Sequence, residues 1–128
     1  EPSLRYLIQN YYATCRADLY REVNQVALEV YRDWLDRPVD NRGLFVIEEL
    51  YHEACLVSSG DTTIDLEARF EERLDDYDNW IRDEAALDLA LGQLAGELKH
   101  DTGLLHLIQD ITSTDFVQLI EAKRTKKS

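Results

Sequence analysis

Along almost the whole chain, apolar residues recur at steps of three and four, the period of one face of an α-helix. Ser3 can cap the first such element, after Pro2. Ile8, Tyr12, Cys15, Leu19, Val23, Val26, Val30 and Trp34 form one stripe, and Ala13, Ala17, Tyr20, Ala27, Tyr31 and Leu35 form a second beside it. A helix apolar on two faces packs on two sides, so the pattern predicts a long central helix over 3–36. Pro38 and the polar residues after it end that helix. A second helix is expected over 41–58, with Asp40 as cap and Leu44, Ile47, Leu50, Tyr51, Ala54 and Val57 turned inward. Gly60 then lies past its end, and Thr62 or Thr63 caps the third.

The third helix is expected to bury Leu66, Phe70, Leu74, Tyr77 and Ile81, and the fourth Leu87, Leu91, Leu94 and Leu98. No Gly or Pro separates the two. A break near Arg82-Asp83 is preferred, because one continuous helix leaves fewer elements to cover its apolar stripe. Gly92 and Gly96, one turn apart, predict the close approach of another helix. Asp101-Thr102-Gly103 reads as a turn, 104–111 as a short helix, and Ser113 as the cap of a last helix through Ala122. The expected fold is all-α: a bundle of four main helices with one or two short C-terminal helices. Residues 1–122 are read as a single helical domain and 123–128 as a basic frayed tail.

Composition narrows the function classes. A chain of 128 residues suits one domain. No apolar run approaches the roughly 20 residues that span a bilayer. The formal net charge of −12 disfavours direct nucleic-acid binding, where Lys and Arg supply most of the affinity, and equally disfavours anionic membranes. Cys15 and Cys55 fall out of register across the first helical hairpin, so they are expected as buried thiols of a cytoplasmic protein rather than as a disulfide.

The charge is concentrated. Residues 61–88 hold eleven acids and three arginines, a net −8, whereas residues 89–128 balance to zero. Like charges on one ordered element build a potential that steers basic partners. Asp65, Glu72, Asp75, Asp76 and Asp83 are the candidate partner-binding residues, with Trp80 as an apolar anchor. The plainer alternative is a solvated face in which Arg69 and Arg73 pair with neighbouring acids of their own helix. An EF-hand is excluded, because Trp80 and Ile81 stand where an oxygen ligand and a glycine are needed.

A second constellation is two Glu-x-x-His pairs, Glu49 with His52 and Glu97 with His100. Each pair shares a helix face, and dinuclear carboxylate bundles use two such pairs plus one glutamate from each of two further helices. In an up-down bundle position 50 lies level with about 27, 72 and the mid-nineties, which brings in Glu29 or Glu22 and Glu71 or Glu72. The segment IEELYHEA resembles the second helix of ferritin-like proteins, and GELKH followed by LLHLI resembles the fourth. That resemblance implies two iron or manganese ions held with Glu49, His52, Glu97 and His100, and iron oxidation or storage chemistry. It also implies a long crossover between helices two and three, where this chain has about six residues.

No Gly-x-Ser-x-Gly, P-loop or Cys-x-x-Cys occurs, and no residue is assigned a catalytic role. His106, between leucines, is expected to be packed. Three readings follow. The first is a non-catalytic acidic module, of inhibitor, immunity or adaptor type, docking on a basic surface of a partner such as a nucleic-acid-handling protein. The second is the dinuclear metal protein. The third is a structural homodimer whose first helix buries its second stripe across the interface.

Overall fold

The computed structural model describes residues 17–37 and 41–127. Among them the protein is all-α, with six helices and no strand: α1 (Ala17–Leu35), α2 (Arg42–Ser58), α3 (Leu66–Trp80), α4 (Glu84–His100), α5 (Thr102–Ile111) and α6 (Phe116–Lys127). Ser3, Cys15, Pro38 and Asp40 lie outside the described residues.

The central helix is α2 rather than the first. Residues 46–56 are buried without interruption, and α2 packs against α1, α3, α4 and α5. Its sequence allows this because apolar residues fall on every side of it, among them Val46, Ile47, Leu50, Ala54 and Leu56. Three glutamates and a histidine are carried inside with them, and those polar groups shape the candidate site below. α1 turns Tyr20, Leu28, Tyr31 and Leu35 inward, while Val26, Val30 and Trp34 of the other stripe stay exposed. The second stripe therefore faces α2, because buried Asn24 between its members meets His52.

The helix ends follow local chemistry. Asn41 starts α2 in the left-handed region (φ 59°), which asparagine tolerates better than most residues. Gly60 (φ 104°) follows the end of α2, where its amide and that of Asp61 bond back to the Val57 and Leu56 carbonyls. This is the left-handed close that favours glycine. α3 stops at Trp80, Ile81 is extended, and Asp83 opens α4 by accepting from the Ala85 amide at 2.9 Å. The expected break between the two helices is present.

Several expected caps are displaced. Asp65, not Thr62 or Thr63, caps α3. Asp115 replaces Ser113 at α6, and α5 starts at Thr102, inside the expected turn, with Asp101 as its cap. In each case a carboxylate, the stronger acceptor for unpaired first-turn amides, stands closer to the helix. Nor do Lys123 and Arg124 belong to a frayed tail. α6 continues through Lys127, and both cations sit in ion pairs with α3 and α4.

The main core joins α2, α4 and the C-terminal helices through Leu50, Leu91, Leu94, Leu98, Leu104, Ile108 and Ile120. Phe70 of α3 and Phe116 of α6 meet edge to face, 5.1 Å between centroids. Burying each such side chain contributes about 1.5–3 kcal/mol. Of the two α4 glycines, Gly92 faces Arg124, whose guanidinium would lie 3.5 Å from a Cβ placed there, whereas Gly96 has open space beside it. His106 is exposed rather than packed. No helix of the described residues is long and apolar enough to cross a membrane.

Candidate functional site: an inward arginine network and an unsatisfied cleft

Glu49 and Glu53 lie one turn apart on α2, and Arg69 and Arg73 one turn apart on α3. The helices run antiparallel, so the two pairs meet in register. Arg73 donates twice to Glu49, from Nε at 2.7 Å and from Nη2 at 2.6 Å, in a forked ion pair. Arg69 Nε donates to Glu53 at 3.0 Å. Arg32 of α1 reaches the same two acids, with 3.0 Å to Glu53 and 3.5 Å to Glu49. Three arginines from two helices therefore surround two buried glutamates of a third. Burial, then the neighbouring Glu49, pushes the Glu53 carboxyl up, and the hydrogen bond from Arg69 pulls it back. Arg73 is held more firmly charged, chiefly by its bonds to Glu49.

The same helix seats His52 in a structural role. Asn24 donates its amide to the Tyr20 carbonyl, which leaves its oxygen to accept from His52 Nδ1 at 2.7 Å. The ring stacks on Tyr31, 5.8 Å between centroids and 17° apart. The second imidazole nitrogen lies 3.8 Å from Glu48.

These contacts decide how the metal candidates are arranged. Glu49 is enclosed by arginines and His52 is hydrogen-bonded to Asn24. Glu97 and His100 line a separate cleft, and Glu29 and Glu71 are exposed on α1 and α3. Among the described residues no three His, Cys, Asp or Glu side chains are grouped to hold a metal ion. The two Glu-x-x-His pairs share a spacing but not a site, because Glu49 is held by the arginines of α1 and α3 whereas Glu97 lies beside Gly43 at the start of α2.

The partner-binding candidates are also redistributed. Asp65 and Asp83 cap α3 and α4. Asp76 receives Arg73 at 2.9 Å, and Trp80 lies beneath the Arg42 guanidinium, 3.4 Å from the ring centroid. Glu72 and Asp75 each touch one cation, Arg69 and Lys123, yet remain 62% and 71% exposed. Glu71 is exposed beside them. Asp65 and Asp83 stay exposed at the helix starts, and Glu71, Glu72 and Asp75 form an exposed row along α3.

A cleft of about 630 Å³ opens at the start of α2, lined by Asn41, Arg42, Gly43, Tyr77, Glu97 and His100 among others. Arg42 spans the gap to α1 and donates to the carbonyls of Leu35 at 2.8 Å and Arg37 at 2.6 Å, closing orphan groups at that helix end. Tyr77 is 2% exposed, but among the described residues its hydroxyl has no hydrogen-bond partner. Nor has Glu97 Oε2. Both oxygens converge on Gly43, where a Cβ would lie 3.1 Å from Glu97 Oε2 and 3.6 Å from the Tyr77 hydroxyl. Burial pushes both groups up, the tyrosine strongly. Periodicity alone assigns Tyr77 to the core and cannot show that its hydroxyl is orphaned. No sequence signal marks Arg42 or Gly43.

Comparison with known proteins returns nothing to set beside this arrangement: no protein-family model, no curated protein and no solved structure matches the chain.

Proposed function

We propose that this chain is a non-catalytic acidic binding module that docks on a basic surface of a partner protein, of the kind that nucleic-acid-handling proteins present to phosphates. The reading takes the scaffold as a bundle of four main helices with two short C-terminal ones. One observation carries it. Arg69 and Arg73, the cations expected to neutralise α3, turn inward onto Glu49 and Glu53. Each arginine is thereby shared between an inner glutamate and one acid of its own helix, Glu72 or Asp76, and in the outer row Glu71, Glu72 and Asp75 only Lys123 of α6 adds a further cation among the described residues. Such a face favours fast, salt-sensitive association.

The test compares two triple variants of equal charge. Glu71→Gln, Glu72→Gln and Asp75→Asn are changed together in one. The control changes Glu22→Gln, Glu29→Gln and Asp110→Asn, all exposed elsewhere. Binding to poly-lysine and to a panel of basic nucleic-acid-binding proteins is measured at low and high salt. The α3 variant is expected to weaken association at least tenfold more than the control. Equal losses would reduce the effect to net charge and remove the docking face.

A second reading has its own observation. Val26, Val30 and Trp34 are exposed at successive turns of α1, a stripe that a second copy of the chain could cover. A monomeric mass at high concentration excludes it.

A further inference from the structure

We propose that the cleft at the start of α2 binds a primary ammonium group carried on an aliphatic chain. The hydrogen-bond inventory points to a donor. Tyr77 Oη and Glu97 Oε2 are buried, lack partners among the described residues, and both lie within 4 Å of the position a Cβ on Gly43 would take. A carboxylate only accepts, and a phenol oxygen can accept. An ammonium brings three donors to these oxygens and a charge opposite to that of Glu97.

The rest of the lining is mixed, since Arg42 brings one positive charge to the cleft. Its guanidinium is bonded to two carbonyls and stacked on Trp80. It does not reach Glu97. Ile81 and Ala90 give apolar wall for methylene groups, and Gly96 leaves its side of the cleft open. The volume of about 630 Å³ is within the range of small-ligand sites. An anion is disfavoured by Glu97 and by the net charge of −12. The inference does not rest on the docking face, since Glu71, Glu72 and Asp75 are not part of the cleft.

The experiment is a titration of the full ¹⁵N-labelled chain followed by amide shifts. The probes are n-butylammonium chloride and N-acetyl-lysine-N-methylamide, with n-butanol as the neutral control. Saturable shifts centred on Gly43, Tyr77, Gln93 and Glu97 are expected with both ammonium probes and not with butanol. Glu97→Gln should weaken both about tenfold, about 1.4 kcal/mol. Gly43→Ala should abolish them, because its methyl group occupies the point where the two oxygens converge. Gly43 is helical, so alanine suits its backbone, and unchanged spectra elsewhere would show that the variant folds. Tighter binding of the lysine amide identifies a protein side chain as the source, and tighter binding of butylammonium a free amine. The absence of saturable shifts with either ammonium probe, or an equal response to butanol, overturns the proposal and leaves the two oxygens to water.

Discussion

Glu49 in the middle of α2 and Glu97 of α4, which approaches the start of α2, make an instructive contrast. Glu49, in the middle of the helix, receives two hydrogen bonds from Arg73 and lies beside Arg32. Glu97 approaches the start of the same helix with an oxygen that nothing satisfies. A buried charge is tolerable when paired and costly when not. The first arrangement therefore reads as architecture, tying α1, α2 and α3 together. The second leaves a group that gains from an occupant. Substitutions at the two places should act in opposite directions.

The largest effect is expected from Arg73→Met, which strands Glu49 inside without its forked partner. Stability should fall by about 3–5 kcal/mol, read as a lower urea midpoint at unchanged slope. A loss below about 1 kcal/mol would mean that water reaches Glu49. Glu49→Leu added to Arg73→Met removes both ends of the pair. The double variant should recover about 1–3 kcal/mol of that loss, measured in the same unfolding series. No recovery would show that the two residues act separately.

Much of this was legible in the sequence, and the parts that were not have a common cause. Period and turn chemistry indicate six helical segments, the break before Asp83 and the buried leucines of α4, because these depend on local patterns. The register of α2 against α3 also follows, since position 50 falls level with 72 when Glu49 meets Arg73. What periodicity cannot show is which helix the others surround. α2 looks amphipathic if its glutamates are taken as its polar face, and those glutamates are inside. The matched one-turn spacings of Glu49 with Glu53 and of Arg69 with Arg73 were the available clue. The Glu-x-x-His spacing competed with it, and the arginines decide between them. Orphaned oxygens such as those of Tyr77 and Glu97 arise from three helices meeting, so no single segment announces them.

Smaller effects belong to the cleft. Tyr77→Phe removes a buried hydroxyl that has no partner while keeping the ring, so stability should be unchanged or higher by up to about 1 kcal/mol. A clear loss would mean that the hydroxyl is satisfied in solution. For Glu97 the sign runs against the usual acidic case. Burial raises its folded pKa above the ordinary 4.5, so the folded state holds its proton more tightly and stability declines as pH rises through that raised value. Glu97→Gln removes the titration. The variant should therefore melt slightly higher than the parent at neutral pH, and the gap should close as pH falls towards about 4.5. Much of the group is in contact with solvent, so the gap should be small. A gap that widens on acidification would reverse the assignment.

The account rests most heavily on the inward turn of the α3 arginines, and side-chain NMR reads it directly. In ¹⁵N spectra at neutral pH, the Nε–H groups of Arg69 and Arg73 should be sharp and exchange slowly with water. Arg37, an exposed arginine just past α1 that pairs with Asp33, is the internal reference and should exchange fast. Glu49→Gln should speed the exchange of Arg73. If Arg69 and Arg73 instead exchange as fast as Arg37, both arginines are turned to solvent. Arg69 and Arg73 then serve the acids of α3 alone rather than sharing their charge with Glu49 and Glu53, and the acidic docking face is gone.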